Sequence, residues 1–205
     1  MKELIQQSFM REYPVEVIAN GIDLNFFRYK NDIEVLHKYK IPVDKKIILG
    51  VANVWDERKG LRDFTVLATE LSEEYKIVLV GLSRMQIKKL PPNVIGIERT
   101  DNIEEIVCIY SAAKVFLNPS KEESFSMVTI ESIACGTPVI VLDNSAVKEL
   151  VNADNGIILH EPTIETYKRA IKQLESKAMK REDVAKTALV YEKTKILKQL
   201  VSLYE

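Results

Sequence analysis

Four charged side chains in two short stretches are the residues best placed to do chemistry. Glu123 and Glu131, with seven residues between them, lie in Ser120-Lys-Glu-Glu-Ser-Phe-Ser-Met-Val-Thr-Ile-Glu-Ser-Ile-Ala-Cys-Gly-Thr-Pro-Val-Ile-Val141, which reads as a loop, a short helix and a strand. Wound at about 100° per residue, Met127, Ile130 and Ala134 form an apolar stripe, Val128 and Cys135 lie a little further round, and Glu131 falls inside that arc. A carboxylate among core residues needs a hydrogen-bonding partner, because an unpaired buried charge loses its hydration with nothing in return. On residue types alone, Glu131 is a buried salt bridge or an acceptor of backbone N–H groups, and Glu123 is a solvated loop charge. The second stretch, Asn53-Val-Trp-Asp-Glu-Arg-Lys-Gly60, follows an apolar strand and precedes a helix that starts near Leu61. Loops leaving the carboxyl ends of strands line the ligand crevice of an open α/β sheet, and a helix N-terminus there favours anions. Arg58 and Lys59 would add two positive charges at that spot, so the stretch is an anion site or a solvated charged turn. Trp55 reads as packing.

The elements that must position these residues alternate in kind. Apolar runs predict strands at Ile47 to Ala52, Ile77 to Val80, Val94 to Ile97, Val115 to Leu117, Val139 to Leu142 and Ile157 to Leu159. Between them, Leu61, Phe64, Leu67, Ala68 and Leu71 give one helical stripe and Ile103, Ile106, Val107 and Tyr110 another, the latter started by Asn102 and Glu105 in the manner of a capping box. Strand and helix repeating in this way, with continuous apolar strands, imply a doubly wound α/β domain around a parallel, Rossmann-like sheet covered on both faces. Residues 1–12 read as a short helix and Val15 to Ala19 as a strand ending at the Asn20-Gly21 turn. Past Pro162, Ile164, Tyr167, Ile171, Leu174 and Ala178 mark one closing helix, and Val190, Ile196, Leu197, Leu200 and Val201 support a second. The expected organisation is therefore residues 1–20 as a linker or residual helix and strand, residues 21–162 as the Rossmann-like domain, and residues 163–205 as helices packed on it.

Composition narrows the function classes. The 205 residues are 46% hydrophobic and 29% charged, with 29 basic against 30 acidic side chains, and this near-neutral balance lacks the basic excess of a nucleic-acid binder. The two cysteines, Cys108 and Cys135, sit among apolar neighbours and read as buried thiols in a reducing compartment. No N-terminal signal pattern and no apolar run near the roughly 18 residues of a membrane span occurs, so the expected location is cytoplasmic. The seven glycines form neither G-x-G-x-x-G nor a P-loop. His37 and His160 are the only histidines and no Asp-x-Asp occurs, so neither a metal nor another cofactor is expected and a Ser-His-Asp arrangement has little to build on.

Glu123-Ser-Phe-Ser-Met-Val-Thr-Ile-Glu131 followed by Ser-Ile-Ala-Cys-Gly-Thr-Pro-Val resembles the E-x7-E motif of retaining glycosyltransferases of the GT-B fold, particularly glycosyltransferase family 4, in their C-terminal, nucleotide-sugar-binding half. Asn20-Gly-Ile-Asp-Leu-Asn-Phe-Phe27 also resembles the segment leading out of the N-terminal domain in those enzymes. The resemblance implies transfer of a hexosyl group from a nucleotide diphosphate sugar in polysaccharide or glycoconjugate assembly, without a metal. Lys59 and Arg58 would meet the diphosphate, Glu123 the hydroxyls of the donor sugar and Glu131 the ribose hydroxyls. The amides of Ser124, Phe125, Ser126 and Met127 would face the sugar and phosphates, and Glu98 and Arg99 would lie near the nucleobase. Departures from the pattern are serines at 124 and 126 where relatives often carry glycine, Arg58 in place of an arginine nearer Asn53 and Val54, and Asn144-Ser-Ala-Val147 where a Gly-Gly pair is common. Glu149, at the position of a frequent acid, reads as a surface charge. A sugar or glycolipid acceptor would be met through a missing N-terminal domain, with Met1 a boundary, the isolated half inactive, and the intact enzyme peripherally associated with a membrane. Alternatives are a non-catalytic sugar-nucleotide-binding subunit that completes a cleft with a partner chain, half of a sugar-nucleotide epimerase, or a purely structural interaction domain.

Overall fold

The computed structural model describes residues 5–143 and 146–204. Residues 1–4 of the expected N-terminal helix, and Asn144 and Ser145 in the segment replacing Gly-Gly, lie outside the described residues. Six strands form one parallel sheet: β1 (Lys46–Val51), β2 (Tyr75–Val80), β3 (Val94–Ile97), β4 (Val115–Asn118), β5 (Val139–Leu142) and β6 (Gly156–Leu159), in the order β3-β2-β1-β4-β5-β6. The register pairs Ile48 of β1 with Ile77 of β2 on one side and with Val115 of β4 on the other. The strand order reverses between β1 and β4, the topological switch point at which open α/β sheets bind ligands.

Alternation along each strand divides the core in two. Ile48, Ile77, Leu79, Val115, Leu117, Ile140 and Leu142 face one layer, with α2 (Leu61–Glu70) and α6 (Ile164–Lys177) supplying Phe64, Leu67, Ala68, Tyr167, Ile171 and Leu174. Leu49, Val78, Val80, Phe116, Val139 and Val141 face the other, covered by α1 (Ile33–Lys38), α4 (Ile103–Ala112), α5 (Met127–Ala134) and α7 (Arg181–Lys186). Fully burying a side chain such as Phe64 contributes roughly 1.5–3 kcal/mol, and the two layers together explain why continuous apolar strands were required. A short helix, α3 (Arg84–Ile87), follows β2 and carries a capping box between Ser83 and Gln86.

All six predicted strands are present: β3 and β5 have the predicted bounds, β1 is shifted by one residue, and β2, β4 and β6 are one or two residues longer than predicted. Val15 to Ala19 is not a strand: it lies apart from the sheet with Val17 exposed, so no neighbouring backbone answers its alternating pattern. The chain first engages the domain at Ile22, which bridges to Glu192. The second closing helix is also revised. Its segment divides into α7, a 3-10 turn at Thr187–Tyr191 and α8 (Lys193–Val201), with Glu192 capping α8 by accepting from the amides of Thr194 and Lys195 at 2.9 and 3.1 Å. Ile196 is buried, whereas Val190, Leu197, Leu200 and Val201 are exposed. Asn102 caps α4 at the amide of Glu105, but the Glu105 carboxylate does not complete the expected box. It is drawn instead to Lys38, Tyr39 and the amide of Asp101, and Lys38 above all holds it down to about 2.

Candidate functional site

The loop leaving β1 is shaped by its own side chains. Trp55 is buried, donates its Nε1–H to the Val80 carbonyl at 2.8 Å and meets Phe64 edge to face at 5.5 Å, which bears out its reading as packing. Asp56 then turns the chain: its Oδ1 accepts from the amides of Arg58 and Lys59 at 2.9 and 3.0 Å, and its Oδ2 pairs with the Arg58 guanidinium at 2.9 Å. That guanidinium holds the Asp56 carboxyl below the usual carboxylate range. Gly60 follows in the left-handed region with φ 71° and starts α2, lying so close to Pro119 that a Cβ there would sit 2.6 Å from the proline Cγ. The Arg58 carbonyl accepts from the Lys121 amide at 2.8 Å, so the loops after β1 and β4 are joined at the switch point.

The loop after β4 delivers the second half of the site. Asn118 ends the strand buried, and its Nδ2 donates to both Ser126 Oγ and Thr129 Oγ1 at 3.0 Å. Ser126 occupies the N-cap of α5 with φ 73° and ψ 83°, and its side chain makes no cap hydrogen bond. Lys59 Nζ is hydrogen-bonded to Glu123 Oε1 across the two loops, with the lysine side chain 31% and the glutamate side chain 12% exposed. Between them lies an open cavity of about 320 Å³ whose walls include Asn53, Arg58, Lys59, Glu123, Ser126, Met127 and Val128. Two cations, Arg58 and Lys59, two carboxylates, Asp56 and Glu123, each paired with one of them, and the first turn of a helix therefore converge at the carboxyl ends of β1 and β4. The arrangement suits an anionic ligand that also carries hydroxyl groups.

Other expected site residues stand differently. The buried residues of α5 are Thr129, Ile130, Ser132, Ile133 and Ala134, and Met127, half-buried, packs against the edge of the core while also lining the cavity. Glu131 is partly buried and is not among the cavity walls. It accepts a hydrogen bond from the Tyr110 hydroxyl at 2.8 Å, and burial raises its pKa above the ordinary glutamate value against the opposing effect of that bond. The Tyr110 hydroxyl is pushed well up by its own burial and by the glutamate. Phe125 packs edge to face on Tyr191 at 5.7 Å, and Ser124 is exposed. Glu98 pairs with Arg84 at 2.9 Å, Arg99 is exposed, and neither lines the cavity. Glu149 is exposed, as its reading as a surface charge requires. Asp56, Tyr110, Asn118 and Thr129 escaped the sequence reading of the site; only Asn118, polar at the carboxyl end of an apolar strand, carried a local signal. Among the described residues no group of three or more His, Cys, Asp or Glu could hold a metal ion.

A six-stranded parallel sheet with helices on both faces and a polar cavity at its switch point defines a Rossmann-like class of α/β domain. The family described as glycosyl transferases group 1 matches residues 32–189, and the chain belongs to that family. It is 30% identical over 152 residues to the processive diacylglycerol alpha-glucosyltransferase of Acholeplasma laidlawii, a match covering 69% of this chain and 45% of the relative. The sucrose-phosphate synthase of Thermosynechococcus elongatus superposes with a TM-score of 0.82 at 21% identity, over 99% of this chain and 55% of that one. The Anabaena protein Alr3699/HepE, solved in complex with UDP-glucose, superposes with a TM-score of 0.75 at 18% identity, over 92% and 57%. These likenesses establish the GT-B type of Rossmann-like fold. The chain spans about half the length of the curated relatives it matches. No described helix is long and apolar enough to cross a membrane.

Proposed function

We propose that this chain is the donor-binding half of a retaining glycosyltransferase that moves a hexosyl group from a nucleotide diphosphate sugar to a polysaccharide or glycoconjugate acceptor. The observation that carries the reading is the convergence of Lys59, Glu123 and the start of α5 on one cavity at the switch point. Retention, and membership of glycosyltransferase family 4, rest on the E-x7-E resemblance. The complex of the Anabaena protein with UDP-glucose supports the donor class.

Negative charge grows on the diphosphate as its bond to the sugar breaks. Fixed cations and N–H groups aimed at that charge lower the barrier by electrostatic preorganisation. Lys59 is the principal cation, already oriented by Glu123. Arg58 lines the same cavity but is turned back on Asp56, so it contributes the weaker charge. Glu123 accepts from donor-sugar hydroxyls, and the amides of Met127 and Val128 carry no hydrogen bond among the described residues and lie where phosphate oxygens would take them. Glu131, held by Tyr110, is assigned to the ribose hydroxyls, and Ser124 and Phe125 to the sugar side of the cleft. Glu98 and Arg99 border the base only if the donor reaches past the cavity. This chemistry needs no metal.

The acceptor is assigned to a second domain, in the same chain or a partner chain, whose closure over the donor completes the reaction site. The exposed apolar residues of α8 support such a neighbour. Calorimetric titration with UDP, GDP, ADP and dTDP, with and without magnesium, tests the donor reading. One diphosphate is expected to bind without magnesium and to lose at least about tenfold in affinity, about 1.4 kcal/mol, in Lys59→Ala. Failure of all four, or equal binding by the variant, would refute it, and glycosyl transfer by this chain alone would refute the division of labour.

A further inference from the structure

Every polar atom of the Asn118 carboxamide is engaged. Its Nδ2 donates to Ser126 Oγ and Thr129 Oγ1 at 3.0 Å each, and its Oδ1 accepts from the Ser120 amide at 3.1 Å. The two hydroxyls lie 2.9 Å from each other, and all three side chains are buried. A serine at an N-cap ordinarily adopts the extended conformation and gives its hydroxyl oxygen to the second or third amide of the helix. Thr163 and Asn102 cap their helices in that way in this molecule. Ser126 does not: its backbone is left-handed, at φ 73° and ψ 83°, its hydroxyl is turned to Asn118 and Thr129, and the first turn of α5 is uncapped. An L-residue is strained in that backbone conformation, so something must hold it.

We propose that Asn118 is a positioning residue for donor binding: by drawing the Ser126 hydroxyl inward it keeps Ser126 left-handed and the amides of Met127 and Val128 open to phosphate. The inference rests on the donor reading given above, and assigns the reason why a serine can stand at the head of α5 without closing it.

The test combines Asn118→Ala with Ser126→Gly, read by titration with UDP and GDP and by amide hydrogen exchange at Val128. In Asn118→Ala, Ser126 relaxes to the extended conformation and caps α5. Diphosphate affinity is then expected to fall about fivefold, the factor for breaking one cap hydrogen bond before the phosphate can bind, and Val128 exchange slows. Adding Ser126→Gly removes the capping hydroxyl and places a residue that takes positive φ without strain, so affinity returns to within about twofold of the wild type and exchange recovers. A bracing role alone gives the opposite result, with the double variant binding no better than Asn118→Ala, and that outcome overturns the proposal. Unchanged Val128 exchange in Asn118→Ala overturns it as well, whether or not nucleotide binds. Wild type that binds neither probe refutes the donor reading, while the exchange arm still decides the capping claim. Should Asn118→Ala fail to fold, Asn118→Asp can still accept from both hydroxyls and is expected to keep fast exchange at Val128; slow exchange there is the refuting result.

Discussion

Gly60→Ala probes the contact on which the geometry of the site depends. Gly60 has φ 71° and ψ 30°, and an added Cβ would lie 2.6 Å from Pro119 Cγ, 2.8 Å from its Cβ and 3.1 Å from its carbonyl oxygen. A left-handed L-residue costs roughly 1–2 kcal/mol. Relieving the overlap needs Pro119 to retreat by about 1 Å to reach ordinary carbon contact. The proline ring cannot swing aside as a flexible chain end could, and its neighbours Asn118 and Ser120 are buried. Overpacking of this kind costs about 1–3 kcal/mol, which brings the total to roughly 2–5 kcal/mol. In a chain of this length each kcal/mol moves the melting temperature by about 2–4 °C, so scanning calorimetry is expected to show a loss of about 4–20 °C. The same shift parts the loops that join Lys59 to Glu123, and displacement of about 1 Å can cost up to a hundredfold in function. Nucleotide affinity should therefore fall together with stability. Melting within about 2 °C of wild type would refute the reasoning, because strain and overlap of that size cannot leave the transition where it was.

Two further substitutions address the hydrogen-bonded pair of buried Tyr110 and half-buried Glu131. The folded-state pKa of Glu131 is raised by burial, so its contribution to stability is complete below the unfolded value of about 4.3 and is lost as pH rises through the folded value. Glu131→Gln keeps an acceptor for Tyr110 and removes the charge, so its melting temperature is expected to exceed wild type at pH 7 and to converge with it below about pH 4. Nucleotide affinity should drop by up to about tenfold through loss of charge-assisted bonding to ribose hydroxyls; equal stability at both pH values would contradict the burial argument. Tyr110→Phe leaves Glu131 without its hydroxyl donor and is expected to cost about 1–3 kcal/mol, or about 2–12 °C, with wild-type melting as the contrary result. In the double variant the two effects should couple, since one removes the donor and the other the charge on the acceptor of the same hydrogen bond.

The sheet was legible because each strand is buried on both faces and therefore apolar throughout, a signal that needs no knowledge of its neighbours. Val15 to Ala19 shows the limit of that logic, since alternation describes a strand only where another backbone is there to pair with it. The second closing helix was misjudged for a related reason: its apolar positions are spaced for one helix, but Glu192 starts a new helix by capping it and four of those positions end up exposed. At the site, Lys59 and Glu123 were each singled out, but their ion pair was not legible, because it depends on the loops after β1 and β4 meeting at the switch point, 64 residues apart in sequence. Glu131 was seen to need a partner, but Tyr110, 21 residues away on α4, could not be identified from helical spacing. The same holds for Asn118, whose bonds to Ser126 and Thr129 cross from a strand to a helix.

The most direct test of the donor-site reading is chemical-shift mapping of the isotopically labelled chain during titration with UDP and GDP in the absence of magnesium. The account requires saturable shifts centred on the amides of Lys59, Met127 and Val128, on the cavity between the loops after β1 and β4. Shifts confined to another surface, such as the cavity lined by Phe26, Tyr29 and Ile103, or no saturable shifts with either nucleotide, would contradict it.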